Sequence, residues 1–214
     1  MKKIIIAIAA LISITLGYLY YKNSNKNIVF VGNSITAYGL SPDIGWYGNW
    51  GMAASSENND YVHITVSKLD NPRFQVINLG DFEYKYNTMD LSFFKAYQDA
   101  RPFIMVYQAG ENVEPSTFEK YKYTEHLKKL IEYIKPQHVV IISEFWPEPI
   151  KYQAMLKFTK ENDYSFVDIS KVMFVEGATA KGLYDNSTVA LHPSDKGMVL
   201  ISDELFKVIK PMFE

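Results

Sequence analysis

The chain contains no cysteine. That absence excludes a disulfide scaffold, a thiolate metal site and a cysteine nucleophile. Its four histidines include no pair at metal-ligand spacing, so neither a metal nor a cofactor is expected. Charge of one sign is also scarce: 22 basic against 24 acidic side chains give a net charge of −2. The small excess conceals a gradient. Lys2, Lys3, Lys22 and Lys26 stand in a first segment with no acid, which leaves 18 basic and 24 acidic residues in the rest. An acidic body repels phosphate backbones, so no nucleic-acid partner is expected. Internal repeats and low-complexity tracts are absent as well. What is present, 48% hydrophobic and 15% aromatic residues over 214 positions, excludes a disordered chain and predicts one domain with a sizeable core.

The organisation follows from one long apolar run. Ile4 to Tyr21 carries no charge, Pro, Asn or Gln, and as a helix would span roughly 27 Å, close to a bilayer's hydrocarbon thickness of about 30 Å. Tyr18, Tyr20 and Tyr21 stand where an aromatic belt would, before Lys22 and a polar linker. Residues 1–26 therefore read as a transmembrane anchor with its amino terminus in the cytoplasm. The alternative is a signal peptide cut after export, although the best small-residue site, Thr15-Leu16-Gly17, lies inside the run. Either way residues 27–214 form a body outside the cytoplasm, membrane-tethered or secreted.

In that body, short β-branched or aromatic runs alternate with longer segments of helical spacing. The runs are Ile28–Val31, Phe74–Leu79, Phe103–Gln108, Val139–Ser143 and Tyr164–Ile169; the helical segments include Phe118–Ile134, Ile150–Asn162 and Gly197–Ile209. The alternation predicts a three-layer α/β/α sandwich on a parallel sheet of about five strands. Ligands of such sheets bind beyond the carboxyl ends of the strands, where Gly32, Gly80 and Gly110 all fall.

Four short motifs cluster at that edge. Gly32-Asn33-Ser34-Ile35-Thr36 presents a serine directly after the first strand. Asn78-Leu79-Gly80 ends the second, where a glycine lets a ligand approach the backbone N–H. Gly110-Glu111-Asn112 follows the third and offers an amide donor. Leu191-His192-Pro193-Ser194 places a histidine in a loop before the last helix. His63 and His126 fall in helical stretches and His138 opens a strand, positions where a packed or surface role is the ordinary one.

In this order the motifs resemble those of the SGNH (GDSL-type) hydrolase family, over about residues 27–212. The resemblance implies a flavodoxin-like α/β/α fold and a serine esterase. It makes Ser34 the nucleophile and His192 its general base. The Ser34 N–H, the Gly80 N–H and the Asn112 side chain become the oxyanion hole. The chemistry agrees: a serine hydroxyl is a weak nucleophile until an imidazole accepts its proton, and the tetrahedral intermediate needs preorganised donors. No Gly-x-Ser-x-Gly elbow is present, which counts against an ordinary α/β-hydrolase.

Three positions depart from the family pattern. Val189 stands three residues before His192, where the family's acid usually lies; Asn33 replaces the usual Asp beside the serine; and Val113 replaces the Asp that often follows Asn112. The site then works as a Ser34–His192 dyad oriented by a backbone carbonyl, borrows an acid from Asp195, Asp185 or Glu144, or has lost hydrolysis. The last case leaves a glycan-binding protein on a decayed fold, and an acyltransferase would use the same residues as an esterase. Trp46 and Trp50 share a face if their segment is helical. Together with Trp146 after the fourth strand, they are candidates for a sugar-stacking wall. The expected partner is thus a small-molecule or glycan ester, with the acetyl esters of an envelope carbohydrate best matched to the location. Nothing in the sequence indicates an oligomeric state.

Overall fold

A computed structural model describes residues 26–214. The expected anchor or signal segment lies outside the described residues, except for Lys26. Among the described residues, no helix is long and apolar enough to cross a membrane.

Five parallel strands form one sheet: β1 (Ile28–Gly32), β2 (Phe74–Asn78), β3 (Ile104–Gln108), β4 (His138–Ile142) and β5 (Ser165–Val167). Their spatial order is β2-β1-β3-β4-β5, with Gly32 in register with Asn78 on one side and Gln108 on the other. All five lie on the expected runs, displaced by no more than a few residues at the ends. β1 and β3 are buried at every position. With both faces covered, a strand needs apolar side chains throughout rather than in alternation.

The two faces sort by the strand's period of two. Ile28, Phe30, Ile104, Val106, Val140 and Ile142 pack on one face. They meet α1 (Tyr61–Lys68) through Tyr61, Val62 and Val66, and α8 (Asp195–Phe213) through Met198, Ile201, Leu205 and Ile209. Val29, Val31, Met105, Tyr107, Val139 and Ile141 pack on the other. There they meet α2 (Gly80–Lys85), α4 (Pro115–Lys120), α5 (Tyr123–Ile134) and α6 (Pro149–Glu161). The short α3 (Lys95–Asp99) and α7 (Ser187–Leu191) complete the helices described. The expected three-layer sandwich is therefore present, and β1 and β3 flank the point where the strand order reverses.

The single helix expected over Phe118–Ile134 is instead two, α4 and α5. Lys122 takes a left-handed conformation, φ +53°, between them. The break brings Phe118 and Tyr123 into a stacked pair with ring centroids 4.9 Å apart; in a continuous helix, residues five apart point to different sides. The segment with Trp46 and Trp50 is not a helix either. After a short 3-10 turn at Pro42–Ile44 the chain doubles back, pairing Ser41 with Trp46 and Tyr38 with Trp50 in antiparallel bridges. Trp46 is buried in a third, smaller cluster with Met52, Ala53, Ala180 and Val189.

Candidate active site

β1 ends on Gly32 because no larger residue fits: a Cβ there would lie 1.9 Å from Thr36 Oγ1 and 2.4 Å from the Gln108 carbonyl. The chain turns tightly at that point, with the Thr36 and Ala37 N–H groups both donating to the Asn33 carbonyl. Ser34 is thereby presented at the carboxyl edge of the sheet. It lines a cavity of about 560 Å³ with Tyr38, Asn78, Gly80, Tyr84, Asn112, Trp146 and His192.

His192 reaches that cavity from the far end of the chain. Asn186 caps α7 by accepting the Thr188 and Val189 N–H groups, and the helix stops at His192. The imidazole Nε2 lies 2.8 Å from Ser34 Oγ and its Nδ1 lies 2.7 Å from the Thr188 carbonyl. A carbonyl can only accept, so Nδ1 carries the proton and the Nε2 lone pair faces the serine hydroxyl. Burial holds the imidazole's pKa below its usual value, with the Thr188 carbonyl pulling the other way. Burial thus favours the uncharged imidazole, with its Nε2 lone pair toward Ser34.

Among the described residues, no carboxylate bonds to His192 Nδ1. Val189 is fully buried in the cluster with Trp46 and Ala180, so position 189 belongs to an apolar core. Asp195 accepts from the Ser55 N–H and hydroxyl and from Asn59. Glu144 pairs with Lys151 at 2.7 Å, and Asp185 lies on the surface. Among the described residues the group that meets His192 Nδ1 is the Thr188 backbone carbonyl.

Trp146 sits against His192, ring centroids 4.9 Å apart and nearly perpendicular. Its buried indole N–H has no acceptor among the described residues. It lines the cavity as expected, but Trp46 and Trp50 do not. They pair edge to face with each other, their indole N–H groups spent on the Tyr38 and Ala54 carbonyls. The aromatic wall beside Ser34 comes instead from Tyr38 and Tyr84, neither of which any motif indicated.

The three expected oxyanion donors converge on the cavity but differ in state. The Ser34 N–H donates to no acceptor among the described residues. The Gly80 N–H is held by Asn78 Oδ1 at 2.7 Å, and Asn78 Nδ2 in turn donates to the Ala37 carbonyl. Asn112 donates one Nδ2 proton to Glu83 Oε2 at 2.7 Å. Beneath this edge lies a buried polar layer that sequence reasoning missed. Glu83 Oε1 accepts from the Gly110 N–H (2.6 Å) and the Asn112 N–H (3.3 Å). Glu111 accepts from Gln108 Nε2, the Phe145 N–H and Asn33 Nδ2. Lys151 Nζ donates to the Gly110 and Val113 carbonyls as well as pairing with Glu144. Burial, reinforced by the charges of Glu83 and Glu144, pushes the Glu111 carboxyl up to about 8. The one available signal was the spacing Gly80–Glu83, which puts the carboxylate one helical turn beyond the glycine.

No protein-family model matches the chain, and no curated protein does. Solved structures do. Axe2, an acetyl-xylooligosaccharide esterase from Geobacillus Stearmophilus, superposes with a TM-score of 0.51 at 17% identity, covering 86% of this chain and 94% of its own. A two-domain esterase active on acetylated mannans gives a TM-score of 0.58 at 14% identity over 93% of this chain and 54% of its own. A GDSL-like lipase from Bacteroides ovatus gives 0.56 at 13% identity over 87% and 98%. At these identities the likeness is one of fold.

Proposed function

We propose that this chain, which has the SGNH (GDSL-type) hydrolase fold, is a serine esterase acting on acyl esters, with acetyl groups on a carbohydrate as the substrate class best supported. The observation that carries the reading is the hydrogen-bonded line Ser34 Oγ–His192 Nε2, His192 Nδ1–Thr188 carbonyl.

In this reading Ser34 gives its proton to Nε2 as Oγ attacks the ester carbonyl. The imidazolium then returns that proton to the departing sugar hydroxyl, leaving an acyl-serine. Water repeats the sequence, releasing the acid and restoring Ser34. The Ser34 N–H and the Asn112 amide face the developing oxyanion; the Gly80 N–H joins them once substrate displaces Asn78 Oδ1. Thr188 replaces a carboxylate with a neutral dipole, which orients the ring and fixes its tautomer but stabilises the imidazolium less.

The substrate class is supported by three features. The cavity of about 560 Å³ is large enough to take an acyl group together with part of a sugar. Tyr38, Tyr84 and Trp146 offer aromatic faces at its mouth. Two of the superposing structures are esterases of acetylated sugars. The apolar run Ile4–Tyr21 supports a location at the outer face of a membrane, where envelope glycans are found.

The test is hydrolysis of a chromogenic acetyl ester by residues 26–214 and by Ser34→Ala. The reading requires turnover that falls by at least about 10⁴-fold in the variant, as in serine proteases stripped of their nucleophile. Equal rates in the two proteins would discard it.

A further inference from the structure

One carboxylate touches all three segments that carry the oxyanion donors. Glu83 is only 2% exposed. It stands on α2, the helix that begins at Gly80. Its Oε1 takes the Gly110 N–H and the Asn112 N–H and lies 3.4 Å from Asn33 Nδ2, on the residue before Ser34. Its Oε2 takes Asn112 Nδ2. Gly110 can accept this arrangement because its φ of +128° is open to glycine. Asn33 is fixed in turn: its Oδ1 accepts the Ile35 N–H, so its Nδ2 must face the carboxylates of Glu83 and Glu111. An aspartate at position 33 would set a third carboxylate against those two, which accounts for the amide found there.

We infer that Glu83 is the positioning residue of the oxyanion hole, orienting the Asn112 side chain so that its amide donates into the cavity and locking the Asn33, Gly80 and Gly110 segments together. The inference rests on the esterase reading only for its catalytic consequence. A primary amide has one donor end and one acceptor end. With Glu83 Oε2 accepting from Nδ2, the Asn112 nitrogen is held toward the cavity edge, leaving its second proton for substrate. Glutamine at position 83 can keep the Oε1 contacts but replaces Oε2 with a donor. The Asn112 amide must then turn over, bringing its oxygen to the place where negative charge develops.

The test combines Glu83→Gln, Asn112→Ala and the double variant in the full chain. The expected result is a loss of about 10²- to 10³-fold in kcat for Glu83→Gln with KM little changed, the size of one lost oxyanion donor. On the Asn112→Ala background the same substitution should add almost nothing, because its effect passes through that amide. A merely structural role would add its full loss in both backgrounds. If Glu83→Gln fails to fold, Glu83→Asp, one methylene short of Asn112, enters the same cycle. In parallel, the Asn112 side-chain amide is followed by NMR: one of its protons should be protected from exchange in the wild type and lose that protection in Glu83→Gln. The amide signal decides the inference even if the wild type hydrolyses nothing, an outcome that removes the esterase reading alone. Full additivity in the cycle, or an Asn112 amide unchanged by the substitution, overturns the positioning role.

Discussion

The two sides of the Ser34–His192 pair are built on opposite plans. On the imidazole side, a single neutral group, the Thr188 carbonyl, meets Nδ1, and position 189 is a valine packed with Trp46. On the oxyanion side, Glu83, Glu111 and Glu144 crowd beneath the loops with one lysine among them. Carboxyl groups are thus absent from the imidazole side and gathered under the Gly80, Gly110 and Asn112 segments. A backbone carbonyl can orient an imidazole at no cost in desolvated charge, whereas an amide side chain such as Asn112 can present either end and needs an external acceptor to choose one. The buried polar groups therefore orient the loops around Ser34, while His192 is oriented by one backbone dipole.

The most severe way to break this contrast is to put an acid at position 189. Val189→Asp restores the family's spelling, yet the new carboxylate would lie among Trp46, Met52 and Ala180. Burying an unpaired charge in an apolar cluster is among the few single changes that cost about 3–5 kcal/mol. Thermal melts should show a variant destabilised on that scale, with no gain in turnover. A milder probe is the acid limb of activity. Burial depresses the His192 pKa, so the neutral base persists below pH 6.5 and kcat/KM for an acetyl ester should begin to fall only at lower pH. A further effect concerns the pH dependence of stability. Glu111 is raised to about 8 in the folded chain from an ordinary 4.5. The native state therefore holds the extra proton between those values, and stability should decline as pH rises through that window. Denaturant midpoints across pH 5–8 should show a shallower decline in Glu111→Gln.

Much of this was readable in advance, for physical reasons that can be stated residue by residue. Runs such as Ile28–Val31 announce doubly covered strands because both faces demand apolar side chains, and Gly32, Gly80 and Gly110 mark the edge where backbone must come close. The meeting of Ser34 with His192 was implied by the family resemblance that the four motifs carry in their order. The break at Lys122 was hidden because a lysine in a left-handed conformation leaves no trace in the sequence. Trp46 and Trp50 share helical spacing but sit in a folded-back loop, where Gly48 lies directly against the Trp46 ring. Thr188 was invisible because every residue has a carbonyl. Glu83 was missed because its meaning depends on Asn33, Gly110 and Asn112, which only the folded sheet brings together.

The account stands on an activated Ser34 that works without a carboxylate partner. Its most direct test is labelling of residues 26–214 with a serine-directed phosphonate, followed by mass spectrometry of the modified peptide. Modification confined to Ser34, abolished in His192→Ala and retained in Asp195→Asn and Asp185→Asn, is the predicted result. Folded wild-type protein that stays unmodified, or labelling that survives loss of His192, would contradict it.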